Sequence, residues 1–150
     1  MSEETIRTLI DTIDSYMTTN LPDTFFELVL RRLESFGYTV TEADALAIAF
    51  SVQKSELNIK NDCNISEIPE ELYHTLCDMS CGDFLSVKYR TGKLNLADLD
   101  LDGAVTSISE GDVSIAFDKS TTDEGKFNAL ISALSTSGRG DLVCYRRFKW

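Results

Sequence analysis

Histidine, tryptophan and proline are almost missing from this chain: one histidine, one tryptophan and two prolines among 150 residues. A lone imidazole at His74 leaves general acid–base catalysis and metal ligation without their commonest side chain. No G-x-S-x-G elbow, phosphate-binding loop or dinucleotide fingerprint compensates, so neither a catalytic site nor a cofactor is expected. Two prolines and eight glycines leave no room for a long flexible linker. No run approaches the ~20 apolar residues of a membrane-spanning helix. The N-terminal MSEETIRTLIDTIDS is acidic and amphipathic, unlike a secretory or transit signal. A soluble protein, cytoplasmic where it is made and without membrane association, is the expectation.

Positive charge is also scarce. Lys and Arg number 14 against 25 Asp and Glu, a formal charge of −11. Its distribution says more than its total. Residues 139–150 hold Arg139, Arg146, Arg147 and Lys149 against Asp141, a local +3, which leaves −14 on the other 138 residues. A body so negative releases no counterions from a nucleic acid and repels it.

What the chain does contain is enough for one folded domain, with 43% hydrophobic and 26% charged residues. Apolar periodicity predicts a helix over 4–17 (Ile6, Leu9, Ile10, Ile13, Met17), broken by Asn20–Asp23. A second, about 23–36, carries Phe26, Val29, Leu30, Leu33 and Phe36 and closes at Gly37. Thr41 opens a third, which runs to about residue 60 through Leu46, Ala47, Phe50 and Leu57. Pro69 with Glu70 and Glu71 starts a fourth over 69–90, with Leu72, Leu76, Cys77, Phe84 and Val87 as its inner face. AVTSISEGDVSIAF then predicts two short strands, 104–109 and 112–117, joined at Glu110-Gly111-Asp112. A last helix occupies about 122–135, and Gly138–Gly140 releases a tail. The expected fold is mainly α, a bundle of about five helices with one β-hairpin before the last.

Three features invite a chemical reading. Asp98 to Gly103, DLDLDG, matches the first half of a calcium loop, but its twelfth position is Ser109 rather than a bidentate glutamate. A solvated acidic loop is the better reading. His74, Cys77 and Cys81 form one helical stripe that Cys63 could complete as a metal site, yet buried cysteines packing as small hydrophobes explain them better. All four cysteines, at 63, 77, 81 and 144, are expected as free thiols. The third feature is the ending, Tyr145-Arg146-Arg147-Phe148-Lys149-Trp150. Aromatic rings interleaved with arginine are hot-spot chemistry at protein interfaces. Either this tail docks on a partner or it folds back on its own acidic body.

Taken in order, Asn64-Ile65 before Ile68-Pro69-Glu70-Glu71, then Ser107-x-x-Glu110-Gly111-Asp112, then Tyr145 to Trp150 resemble a known family. It is the head–tail connector, or adaptor, family of tailed bacteriophages and prophages in Firmicutes. The likeness covers about 25–150, so 1–22 reads as an additional N-terminal helix, 23–138 as the connector bundle and 139–150 as a docking tail. The resemblance implies a structural virion protein of the neck, between capsid and tail, assembled from the host cytoplasm. It implies a homo-oligomeric ring, typically of twelve subunits, beneath the portal protein, passing genomic DNA without specific binding and receiving neck or tail-terminator proteins. Arg139 and Tyr145–Trp150 would be the portal-docking residues, and Glu110, Gly111 and Asp112 a contact to a neighbouring subunit or the neck. The alternative is a small acidic cytoplasmic phage protein acting as an inhibitor or DNA mimic.

Overall fold

The first helix begins where a capping group is available. The Ser2 hydroxyl accepts the Thr5 amide at 3.2 Å, satisfying one of the donors that every helix start leaves free. The computed structural model describes residues 1–109 and 122–145. Among these it contains six α-helices and no strand. They are α1 (Glu3–Asp14), α2 (Asp23–Ser35), α3 (Ala45–Cys63), α4 (Tyr73–Arg90), α5 (Leu101–Ser109) and α6 (Asp123–Thr136). Short 3₁₀ turns over Glu42–Asp44 and Glu70–Leu72 lead into α3 and α4, and another over Leu96–Asp98 precedes α5. A 3₁₀ segment, Arg139–Tyr145, follows α6.

The bundle is organised around α4. From Thr75 to Leu85 every residue except Asp78 and Asp83 is buried, because α2, α3 and α6 all pack against this helix. A helix covered on all sides has no polar face to show. Its hydroxyl and thiol groups turn to backbone carbonyls instead: Ser80 donates to Leu76 at 2.7 Å and Cys81 to Val29 at 3.8 Å. Gly82 lets α6 come close, since a β-carbon there would lie 3.0 Å from that of Leu134. Residues 1–22 join the same core through Ile6, Leu9, Ile10, Ile13, Met17 and Leu21.

The hairpin expected over 104–117 is not formed in its first half. Residues 104–109 belong to α5, and 110–121, with Glu110, Gly111, Asp112 and the second expected strand, lie outside the described residues. Asp100 explains the helix. Its carboxylate accepts the Gly103 amide at 3.1 Å, and its own amide donates to the Phe36 carbonyl at 3.0 Å. Capped and tethered in this way, the segment buries Leu101, Ala104 and Val105 at helical spacing. Such burial overrides the strand preference of Val105 and Thr106. Two glycines make room for the knot. A β-carbon on Gly103 would overlap the Asp100 carboxylate, and one on Gly37, which sits at φ +86°, would approach the Asp100 amide to 2.6 Å.

Near the C-terminal end of α4 lies a buried charge. Asp44 accepts from the Tyr38 hydroxyl at 2.9 Å, the Thr41 amide at 3.0 Å and the Lys88 ammonium at 2.9 Å. Burial pushes its carboxyl up, but Lys88, the Thr41 amide and the Tyr38 hydroxyl together outweigh burial and hold it below the ordinary 3.8. Burial, and then the Asp44 hydrogen bond, push the Tyr38 phenol up. Because the Asp44 value is depressed on folding, its stabilisation is complete above the unfolded value and is lost as pH falls through the lower folded one. Asp44→Ala is expected to cost about 3 kcal/mol at neutral pH, since Lys88 loses its partner in a half-buried setting. Asp44→Asn should show a shallower loss of melting temperature below pH 4 or so than the wild type. Parallel acid limbs for the two proteins would refute the assignment.

Candidate docking surfaces

The C-terminal segment does not leave the body where α6 ends. Arg139–Tyr145 packs against α3, with Leu142 buried in the common core and Tyr145 half-buried against it. The Cys63 thiol, at the last residue of α3, donates to the Leu142 carbonyl at 3.5 Å. Gly138 makes the turn that leads there. It has φ +67°, and a β-carbon would overlap the Thr75 hydroxyl at the start of α4. The release point expected at Gly138–Gly140 is thus a packed corner, and the chain is held until Tyr145. Of the expected docking residues, Arg139 lies on the backbone of this segment, Tyr145 sits at its end, and Arg146 to Trp150 lie outside the described residues.

The two chemical candidates are both absorbed by structure. Cys77 and Cys81 are buried while His74 is exposed on the same helix, so the stripe splits between core and solvent. Burial, and then Cys77, push the Cys81 thiol well up, which keeps it protonated and inert. The DLDLDG run contributes Asp100 to the α5 cap, and Asp102 bridges Lys126 on α6 at 2.8 Å. Among the described residues no cluster of three or more His, Cys, Asp or Glu side chains could hold a metal ion. No described helix is long and apolar enough to cross a membrane.

One surface escaped the sequence reading. The series Leu46, Phe50 and Leu57, expected as part of the run of α3, faces outward. Phe50 is 67% exposed, Leu57 57% and Leu46 48%. The inner side of α3 consists instead of Ala45, Ile48, Ala49, Val52, Ile59 and Cys63. Val87, expected on the inner face of α4, is 38% exposed beside the outward stripe. Leu46, Phe50 and Val87, with Ala47 and Phe84, line an apolar groove of about 430 Å³ between α3 and α4, and Leu57 continues the outward stripe beyond it. Its charged lining residues are Lys54 and Asp83, which pair with each other at 3.0 Å. The signal was present in the sequence, since α3 carries two apolar stripes and only one of them can face inward.

A second groove is electrostatically opposite. Glu3, Asp11, Asp23 and Glu27 line about 250 Å³ between α1 and α2, with Arg7 as the opposing charge. Burial, followed by Asp23 and Asp11, pushes the neighbouring Asp14 carboxyl up. The surface is therefore divided into an acidic side, an uncharged stripe and a pinned corner from which the cationic C-terminal residues follow. No protein-family profile, curated protein or solved structure matches the chain.

The pinned corner has a direct test. Leu142→Ala removes a buried side chain whose truncation typically costs ~2–5 kcal/mol. Thermal melting of this variant is expected to fall clearly below wild type. An unchanged melting temperature would mean that Arg139–Tyr145 does not belong to the folded body.

Proposed function

We propose that this chain is a head–tail connector of a tailed bacteriophage, a structural virion protein. In this reading it forms a ring beneath the portal protein, extends the DNA channel and presents a platform to neck or tail proteins. The observation that carries it is the segregation of charge at a fixed point of the fold. A body of net −14 pins its C-terminal segment at Leu142, and a run of three cations and two aromatic rings, Arg146 to Trp150, follows directly. A passage for DNA is served by walls that do not grip phosphate, and an acidic surface does not. Arginine next to aromatic rings is suited to anchoring on protein. The sequence resemblance supplies the identity of that protein as the portal, and it assigns Glu110, Gly111 and Asp112 to contacts with a neighbouring subunit or the neck.

Deletion of Arg146 to Trp150, which spares Leu142 and Tyr145, tests the proposal. The truncated protein is expected to melt like wild type and to lose binding to purified portal assemblies. Single changes Arg147→Ala and Trp150→Ala are expected to weaken binding severalfold or more, as hot-spot truncations do. Undiminished portal binding by the truncated chain would overturn the assignment of the tail. Failure of the intact chain to bind portal at all would overturn the connector reading.

The same charge division predicts no retardation of duplex DNA at physiological salt. At a Debye length of about 8 Å the body repels phosphate at contact range. A salt-resistant complex with duplex DNA would remove the physical argument for a DNA passage.

A further inference from the structure

We propose that the outward stripe of α3 is a self-association face, and that its occupant is a second copy of this chain related by a two-fold axis. The proposal does not rest on the connector reading. Its first support is spacing. Leu46, Phe50, Gln53 and Leu57 follow one another at intervals of four, three and four residues, the repeat of a coiled-coil seam. The intervals read the same in both directions. An antiparallel copy of α3 therefore brings Leu46 against the partner's Leu57 and Phe50 against the partner's Gln53. A contact that uses one patch on both copies is what a two-fold interface requires.

Charge supplies the second support and excludes other occupants. Two bodies of −14 repel wherever their carboxylates meet. At the α3–α4 groove the charged lining residues, Lys54 and Asp83, already neutralise each other. Over the groove half of the stripe a copy meets no uncompensated carboxylate. The cationic C-terminal residues are not suited to the groove, because its one lining carboxylate is taken by Lys54. Nucleic acid is excluded by the lack of unpaired cations in the lining. Phe50, 67% exposed at the middle of the stripe, is the group with most to gain from being covered.

A two-fold contact closes at two copies and does not propagate. It is accordingly the state of the free protein, and any larger ring must be built with other faces. The experiment is sedimentation equilibrium of the full chain over a wide concentration range, at low and high salt. A monomer–dimer equilibrium is expected, tightening as salt rises, because screening weakens body–body repulsion and leaves apolar burial in place. Phe50→Asp and, separately, Leu57→Asp are expected to raise the dissociation constant at least about tenfold, with helical circular dichroism and melting unchanged. Overturning results are a wild-type protein that stays monomeric throughout, or a dimer that survives both substitutions. A dimer that salt or removal of Arg146 to Trp150 dissolves would equally overturn the proposal, because it would assign the contact to the tail. None of these outcomes depends on portal binding, so the two proposals fail separately.

Discussion

The relation between α3 and α4, on which the outer surface of the bundle depends, is fixed by a single buried carboxylate. Asp44 lies one residue before α3, and its partners come from three places: Tyr38 after α2, Thr41 in the connecting turn and Lys88 near the end of α4. A buried carboxylate without such partners would be costly or would protonate. With them it sets the height at which α3 starts beside α4. The Tyr38 ring also meets Phe84 edge-on at 5.4 Å, so polar and aromatic contacts define the same junction. Leu46, Phe84 and Val87 line the apolar groove directly next to it. A shift of α3 by one residue would turn each of its side chains by about 100° and carry part of its inner stripe out of the core.

A comparable constraint acts at the other end of the bundle. The last turn of α3 and the first of α4 are covered by the 3₁₀ segment that follows α6, through the Cys63–Leu142 contact and the Gly138–Thr75 corner. The cationic C-terminal residues thus start from a rigid point. Up to Tyr145 the C-terminal segment returns to its own body, and Arg146 to Trp150 lie outside the described residues. A pinned root lowers the conformational freedom that any following segment loses on binding.

The helices were legible in the sequence because their signals are local. Thr41 before the third helix, Pro69 before the fourth and Gly37 after the second mark boundaries within a few residues of those observed. What failed was local pattern with more than one solution. The segment 104–109 has strand-forming residues, and its helix depends on Asp100 reaching Phe36, some sixty residues away. In α3 the inner stripe is Ala45, Ile48, Ala49, Val52, Ile59 and Cys63, and the outer one is Leu46, Phe50 and Leu57. Both are apolar, so hydrophobic periodicity alone does not say which of them faces the core. Packing against α1 and α4 decides it. The candidate site was legible in part for the same reason: the charge division is a property of composition, whereas the groove exists only once α4 has taken its place beside α3.

That placement also accounts for an exposed phenylalanine. α4 is buried by α2, α3 and α6 together, and α3 turns Ala45, Ile48, Ala49, Val52, Ile59 and Cys63 inward. Leu46, Phe50 and Leu57 are left on its outer side, where no described element of the bundle covers Phe50 or Leu57. Elsewhere, scattered carboxylates keep copies apart over roughly one Debye length, about 8 Å at physiological ionic strength. In the groove beside the stripe, one internal ion pair replaces them. An exposed apolar groove and a neutralised ion pair thus coincide, and a surface with that combination favours contact with an apolar face over contact with an anion.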